Sequence, residues 1–554
     1  MKTTRGATLD RAQPAPEETA AVPTMTGFQR RLSMILCLLT MVLAILDQNI
    51  VSAAIVPIVR DLDPVHGVDH VAWLVVAFSL AATVVLPLYG RLCDVFGAKR
   101  IYLAAIATFL LGSVLCGLAR SMTELIAFRA IQGVGAGGLM SVTMVVMAQL
   151  RKPGDKGGPG ALAGIMGGSG MALGPFVGGL FADHGNWRMI FFVNVPLGLL
   201  IIGGALWALR LPRHTAAGTG ARIDFVGAAL VAVFASALLL ACQWGGKDYA
   251  WDSATIVGLL VVAAVGLGLF LWRQATVAVP ILPLSLFRNS YIRNGFLLQG
   301  LTGAAMLGTL VYLMLYLQLA RGVDATDAGA YLAFMALGMV VAGIVGTRLP
   351  WDVRSGLLAG TLFAGVAFGG LALLRTDTSL WMLRGDLFVL GLGFGQLVGK
   401  AILAVQQAAP KEHLGVTTTG IRFFQSLAGT LSVALFGSLL ARVFAAKSNV
   451  GDVSAIARLG PAEHGDAVRA FVSSVDAVFA GAGVLMVLAV LCALRMPDPR
   501  PAAEDDSPES KSSPESKSES ESESESESES ESESESESES ESNEPTRAET
   551  ARVG

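Results

Sequence analysis

Runs of about twenty apolar residues, separated by short polar stretches, recur along most of the chain. A bilayer core about 30 Å thick takes roughly 20 residues of helix. On that measure the pattern predicts fourteen spans. Eight fall near 33–57, 71–90, 101–119, 124–148, 160–182, 189–209, 225–243 and 254–272, and six more near 293–317, 328–349, 355–374, 382–405, 417–441 and 474–494. The first run is too long for a signal peptide and no small-residue cleavage site follows it, so it is expected to stay in the mature protein. The fold class is an all-α polytopic membrane protein.

Composition agrees with this pattern: 53% of residues are hydrophobic, 15% are charged and the mean hydropathy is +0.59. A soluble globular chain carries roughly 25% charged residues. The net charge of −4 hides an asymmetry. Pro501 to Gly554 hold 19 acids against 4 bases, and the rest of the chain carries 25 acids and 36 bases. The bases cluster in alternate loops: Arg30 and Arg31, then Arg91, Lys99 and Arg100, then Arg151, Lys152 and Lys156, and later Arg210, Arg213, Arg222, Arg273, Arg288 and Arg293. The opposite loops are poorer in bases and hold Asp61, Asp63 and Asp69, then Lys247, Asp248 and Asp252. Basic loops face the cytoplasm, so a multi-pass protein of the cytoplasmic membrane with both termini inside is expected. Bases scattered between apolar spans do not form a nucleic-acid surface. The longest outer loop falls at about 442–472.

Ser and Glu alternate from Ser518 to Ser542, a composition that cannot offset its ordering entropy by burial, so the acidic end is expected to be disordered. The five cysteines lie in or beside apolar runs without metal-ligand spacing and read as inert thiols. None of the six histidines falls in a span, and no nucleophile–histidine constellation is visible, which argues against an enzyme. Gly133 to Gly138 spell G-x-G-x-x-G, but no strand precedes them and close helix packing explains them better. Gly395 to Lys400 lack a phosphate loop's first glycine and its hydroxyl residue, so no nucleotide-driven pumping and no cofactor is expected.

Four stretches carry more specific chemistry. Gly90-Arg91-Leu92-Cys93-Asp94-Val95-Phe96-Gly97-Ala98-Lys99-Arg100 follows the second span, with two glycines suited to a tight turn and bases suited to an anionic leaflet. Arg129 and Gln132 lie inside the fourth span, where an arginine needs a partner or water. The fifth span holds Gly170, Gly174, Pro175, Gly178 and Gly179, glycines spaced for close helix contact around a proline that loosens the backbone ladder. The first span holds Asp47 in Leu46-Asp47-Gln48-Asn49-Ile50-Val51. An acid at membrane depth is a functional candidate: burial favours its neutral form and a nearby cation its charged form.

These stretches resemble motifs of the major facilitator superfamily and of its fourteen-helix drug:proton antiporters, over about residues 30–497. Pro280 to Asn289 are similar to the segment that enters that family's second half, and Gly420 to Gly429, with Arg422, loosely resemble another of its motifs. Val95 and Ala98 depart from the family's usual arginines, and Gly346-Thr347-Arg348-Leu349 is a degenerate second copy of the loop signature. The resemblance implies a cytoplasmic tail at 1–30, a six-helix bundle at 31–214, two additional helices at 215–275, a second six-helix bundle at 276–498 and the acidic tail at 499–554. It also implies that Asp94 pairs with the opposite half, that Gly90, Gly97, Lys99 and Arg100 complete a conformational motif, and that Arg129 and Gln132 take part in proton coupling.

The activity implied is proton-coupled efflux of small lipophilic compounds such as antibiotics, by a monomer whose partners are the bilayer, protons and the substrate. High Ala, Gly and Val content with Arg outnumbering Lys is expected of a GC-rich bacterium, such as an actinomycete exporting its own antibiotic. Substrate binds near the midplane between the halves in such folds. Asp47 would take a proton from outside and release it inside as substrate binds, with Arg129 tuning the exchange. A proton-coupled importer or uniporter of a small metabolite is the alternative, and after it a membrane sensor or enzyme. Asp386 lies toward the outer end of the twelfth span and can snorkel to water, and Lys400 lies nearer its inner end within reach of headgroups. Facing a cavity instead, Asp386, Lys400 and Arg422 would shape substrate choice.

Overall fold

The computed structural model describes residues 25–53, 55–62, 67–150, 187–211, 223–246, 248–323, 325–349, 352–448 and 461–496. They belong to one compact unit, Met1–Asp498, and the second unit, Pro499–Gly554, lies outside them. Among the described residues the named elements are helical, and 12 helices are long and apolar enough to cross a membrane, or 13 when a bent pair counts as one span. Thirteen of the fourteen expected spans coincide with these helices. The other, 160–182, lies outside the described residues, and with it Gly170, Gly174, Pro175, Gly178 and Gly179.

The first half runs α1 (Gly27–Ala53), α2 (Ile55–Leu62), α3 (Gly67–Val84), α4 (Leu86–Phe96), α5 (Ala98–Leu118), α6 (Met122–Gln149), α7 (Met189–Phe192) and α8 (Asn194–Ala208). The second predicted span proves to be two helices, Trp73–Val84 and Leu86–Phe96, bent by 42°. Pro87 in the first turn of α4 is the cause, because its ring blocks the preceding turn and it offers no N–H. Helix α6 starts where Ser121 accepts the Glu124 N–H at 3.2 Å and Glu124 reaches back to the Arg120 N–H at 2.9 Å, a reciprocal cap.

Next come α9 (Phe225–Trp244) and α10 (Ala254–Thr276), packed on each other. Asp224 caps α9 through the Gly227 N–H at 3.0 Å and pairs with Arg273 of α10 at 3.2 Å, which closes the base of this hairpin. Both helices turn large apolar side chains outward, Phe225, Val261 and Trp272 among them, as lipid contact requires.

The second half follows a 3₁₀ turn, Leu284–Arg288: α11 (Ser290–Leu315, with a π-turn at Tyr316–Ala320), α12 (Ala325–Arg348), α13 (Val353–Leu371), α14 (Leu380–Ala408), α15 (Leu414–Lys447) and α16 (Pro461–Leu494). Of the expected outer loop at 442–472, the described residues are helix except Ser448: α15 runs on to Lys447 and α16 begins at Pro461. Polar turns continue both helices past their apolar cores, and proline suits a first helical position. The larger apolar core joins Met41, Phe109 and Val145 of the first half to Ile402, Val416 and Phe423 of the second. Another core, with Leu313, Phe394 and Phe479, lies within the second half.

Candidate functional site

Asp47 and Arg129 are 0% and 1% exposed and meet as an ion pair, Arg129 Nη1 to Asp47 Oδ2 at 2.9 Å. A charge pair removed from water holds only when its remaining donors and acceptors are met. Here they largely are. Gln132 Nε2 donates to Asp47 Oδ1 at 2.8 Å, and Asn194 Nδ2 donates to the same oxygen at 2.7 Å. Arg129 Nη1 also donates to Gln132 Oε1 at 2.8 Å, and its Nε donates to the Leu74 carbonyl at 3.2 Å.

Ser113 sits behind this set. Its hydroxyl accepts from Gln132 Nε2 at 3.1 Å and Asn194 Nδ2 at 2.9 Å, and donates to the Phe191 carbonyl at 3.0 Å. The Cys116 thiol lies 3.6 Å from Gln132 Oε1, so one of the cysteines read as inert touches the cluster. Elements α1, α3, α5, α6 and the α7–α8 pair meet in one hydrogen-bonded network centred on the Asp47 carboxylate.

Helix spacing explains part of the arrangement. Arg129 and Gln132 are three apart on α6 and share a face. Gly133 and Gly135 let α6 approach α3 and α5 closely: a Cβ at Gly133 would lie 2.9 Å from Phe78 Cα, and one at Gly135 would meet Phe109 N. The approach brings the Arg129 guanidinium over the Phe78 ring, 3.9 Å from its centroid. Phe78 in turn lines a cavity of about 110 Å³ with Ala44, Thr83, Met140, Arg422 and Ser426. Arg422 is therefore in the cavity wall, and Arg129 stands one ring behind it.

At the far end of α4, Asp94 reaches the second half. Its Oδ1 accepts the Gly415 N–H at 2.7 Å and its Oδ2 the Val416 N–H at 3.0 Å, in the first turn of α15. Those N–H groups have no partner inside the helix, and the helix start favours an anion. Gly90 serves the same contact: a Cβ there would stand 2.7 Å from Val416 Cα. It is a packing position within α4, whereas Gly97, at φ +84°, makes the turn that was expected of both glycines. Thr83 and Ser426 hydroxyls add a second tie between halves at 2.7 Å. Lys99 donates to the Leu206 and Leu209 carbonyls at 3.1 and 2.6 Å, capping α8 instead of reaching lipid, while Arg100 is exposed. Beside this joint, burial and the neighbouring Arg91 hold the His413 imidazole below its usual pKa.

Across the first half, Arg188 Nη1 lies 2.6 Å from Asp61 Oδ2, with Trp187 Nε1 donating to the same oxygen at 3.1 Å. The Arg188 and then the Trp187 hydrogen bond hold the Asp61 carboxyl below its usual pKa. Asp386 packs against Gly370 of α13, and Lys400 lies along Gly356 near Asp352. Neither lines the cavity that holds Arg422. Residue chemistry alone pointed to Asp47, Arg129 and Gln132 but missed Ser113, Asn194 and Phe78. The available signal was an amide two residues before Pro196 in an apolar run. Ser113 and Phe78 offered none.

The model of the Major Facilitator Superfamily matches residues 37–433. Two relatives from Bacillus subtilis (strain 168) are similar over most of their length. Multidrug transporter protein MdtP is 31% identical over 73% of this chain and 74% of its own. Multidrug resistance protein 3 is 30% identical over 74% and 80%. Among solved structures, the proton:xylose symporter XylE superposes with a TM-score of 0.54 at 13% identity, covering 85% of this chain and 96% of that one, a likeness of fold alone.

Proposed function

The chain belongs to the Major Facilitator Superfamily and is a multi-pass membrane transporter, and from that premise we propose that it exports small lipophilic compounds, antibiotics among them, across the cytoplasmic membrane in exchange for protons. The names of the two multidrug relatives support the export direction. The coupling rests on one observation: a carboxylate with no exposed surface, held by an arginine and two amides inside an apolar bundle.

Ionised, Asp47 accepts three hydrogen bonds, one each from Arg129, Gln132 and Asn194, and fixes Arg129 over Phe78. Protonated, it loses the attraction of Arg129 and needs an acceptor for its own O–H. Asn194 Oδ1 accepts no hydrogen bond among the described residues, so turning that amide over would supply one. The guanidinium released from Asp47 would carry Phe78 with it, and Phe78 is cavity wall. Proton binding at Asp47 and substrate binding in the cavity then compete through one ring, as exchange requires.

With the basic loops and both termini in the cytoplasm, the Asp94 contact on α15 closes the cytoplasmic side. Rocking of the halves must break it before substrate can enter from within. The test is dye efflux from proteoliposomes under an imposed proton gradient. Wild type is expected to export against the dye gradient only while the proton gradient stands, and Asp47→Asn to lose that dependence. Undiminished coupled export by Asp47→Asn would remove Asp47 from the mechanism.

A further inference from the structure

Among the described residues that line it, the cavity between the halves has one charge. Its wall is apolar at Ala44, Phe78, Leu86 and Met140 and hydroxylic at Thr83 and Ser426, with the Arg422 guanidinium the one ionisable group among its lining residues. A guanidinium offers five N–H donors in a planar fork. Arg422 uses Nη1 on Gln425 Oε1 at 2.7 Å, and no carboxylate among the described residues stands within ion-pair distance of it.

The other membrane-depth acids are placed elsewhere. Asp47 is paired with Arg129, and Asp94 is on the α15 N–H groups. Asp386 is against Gly370, and Asp476 is beside the Leu374 backbone. Residues 157–182, outside the described residues, contain no Asp or Glu at all. The first-half pair is neutral as a unit, so among the described residues no carboxylate balances the Arg422 charge at the cavity. In low dielectric such a charge attracts an anion and repels a cation far more strongly than in water.

We propose that the molecule this cavity takes is an amphiphilic organic anion, its carboxylate or sulfonate on the Arg422 fork and its apolar body against Phe78, Leu86 and Met140. The fork geometry suits a planar or tripodal oxyanion, which a lone ammonium would hold less well. A cavity of about 110 Å³ is smaller than the site a drug-sized molecule needs. In this conformation it accommodates the charged head and its adjoining carbons, and the remainder enters as the halves part. The inference rests on the export reading and narrows it to a substrate class.

Three probes with one body separate the possibilities: pyrenebutyrate, pyrenebutanol and pyrenebutylamine, bound to the full chain in lipid nanodiscs and read by anisotropy, with empty nanodiscs subtracted. The anion is expected to bind more tightly than the amine by about 10-fold or more, the range of a charge-assisted hydrogen bond, with the alcohol between them. Arg422→Gln should bring the anion down to the alcohol while leaving the alcohol unchanged, which also reports an intact fold. Arg422→Lys should keep the order. An amine bound as well as the anion by wild type, no binding of the anion, or an anion lead that survives Arg422→Gln each overturns the proposal. The same probes in proteoliposomes keep the two readings apart. Proton-driven export that favours the amine sinks the anion site and leaves export standing. The expected binding order without proton-driven export of any probe does the reverse.

Discussion

Asp94 and Gly415, 321 positions apart, meet where the Asp94 carboxylate accepts the Gly415 N–H at 2.7 Å, so a side chain of one half completes the first turn of a helix in the other. The contact is local: both N–H groups it uses lie in the first turn of α15. Its two N–H bonds to one carboxyl group are each worth roughly 0.5–3 kcal/mol, the span from a neutral to a charged acceptor.

Asp94→Ala removes both bonds without adding bulk. Spin labels placed across the α4–α15 joint are expected to show a second, longer distance that is weak or absent in wild type. An unchanged single distance would mean that packing alone keeps this side closed.

Gly90→Leu acts on the same joint by volume. The new side chain would occupy the space of Val416 Cα and the Gly415 carbonyl, which are backbone and cannot rotate away. The α4–α15 distance should lengthen as in Asp94→Ala but without a residual closed population, and efflux should fall to background. A Gly90→Leu protein that still closes and exports would show that α15 is free to shift.

Arg129→Leu leaves Asp47 as an uncompensated charge in the bundle, a change that typically costs 3–5 kcal/mol, about what a buried pair loses when one partner goes. Thermal unfolding in detergent should show the single variant well below wild type. The double variant Asp47→Asn, Arg129→Leu should recover most of the loss, because no charge then remains buried. A double variant as unstable as Arg129→Leu would place the cost in lost packing on Phe78 instead.

Asp61 gives a pH prediction. Its carboxyl is held below its usual value by Arg188 and Trp187, so folding is favoured while it is ionised, and the contribution is lost as pH falls below the unfolded-state value of about 3.9 toward the folded one. The pair is 34% and 48% exposed, which limits it to about 1 kcal/mol or less. The melting-temperature gap between wild type and Asp61→Asn should be small at neutral pH and close as pH drops from about 5 to about 2. A gap that widens in acid would contradict the pairing.

Thirteen of the fourteen expected spans could be read correctly because crossing a bilayer demands length and apolarity, both linear properties of a chain. Their ends were read less well. Hydropathy ends with the apolar core, whereas α15 and α16 continue through polar residues that water solvates equally well as helix. The bend at Pro87 was readable in principle, since proline's missing N–H is a local fact. The role of Lys99 was not: a base beside a membrane reads as headgroup contact until the carbonyl end of α8 is known to lie next to it.

The linear order of residues determined that this chain lives in a membrane, roughly where it crosses, and that an acid at 47 and a base at 129 must answer for their burial. Folding decided that they answer each other, that Asn194 and Ser113 complete the set, that Phe78 joins it to a cavity, and that Arg422 faces that cavity with no carboxylate among the described residues beside it. The reason is physical. Helix periodicity records which face of a segment avoids water, but in lipid every face can be apolar, so which helices touch is left to small residues, bends and buried polar partners that act only once the segments are assembled.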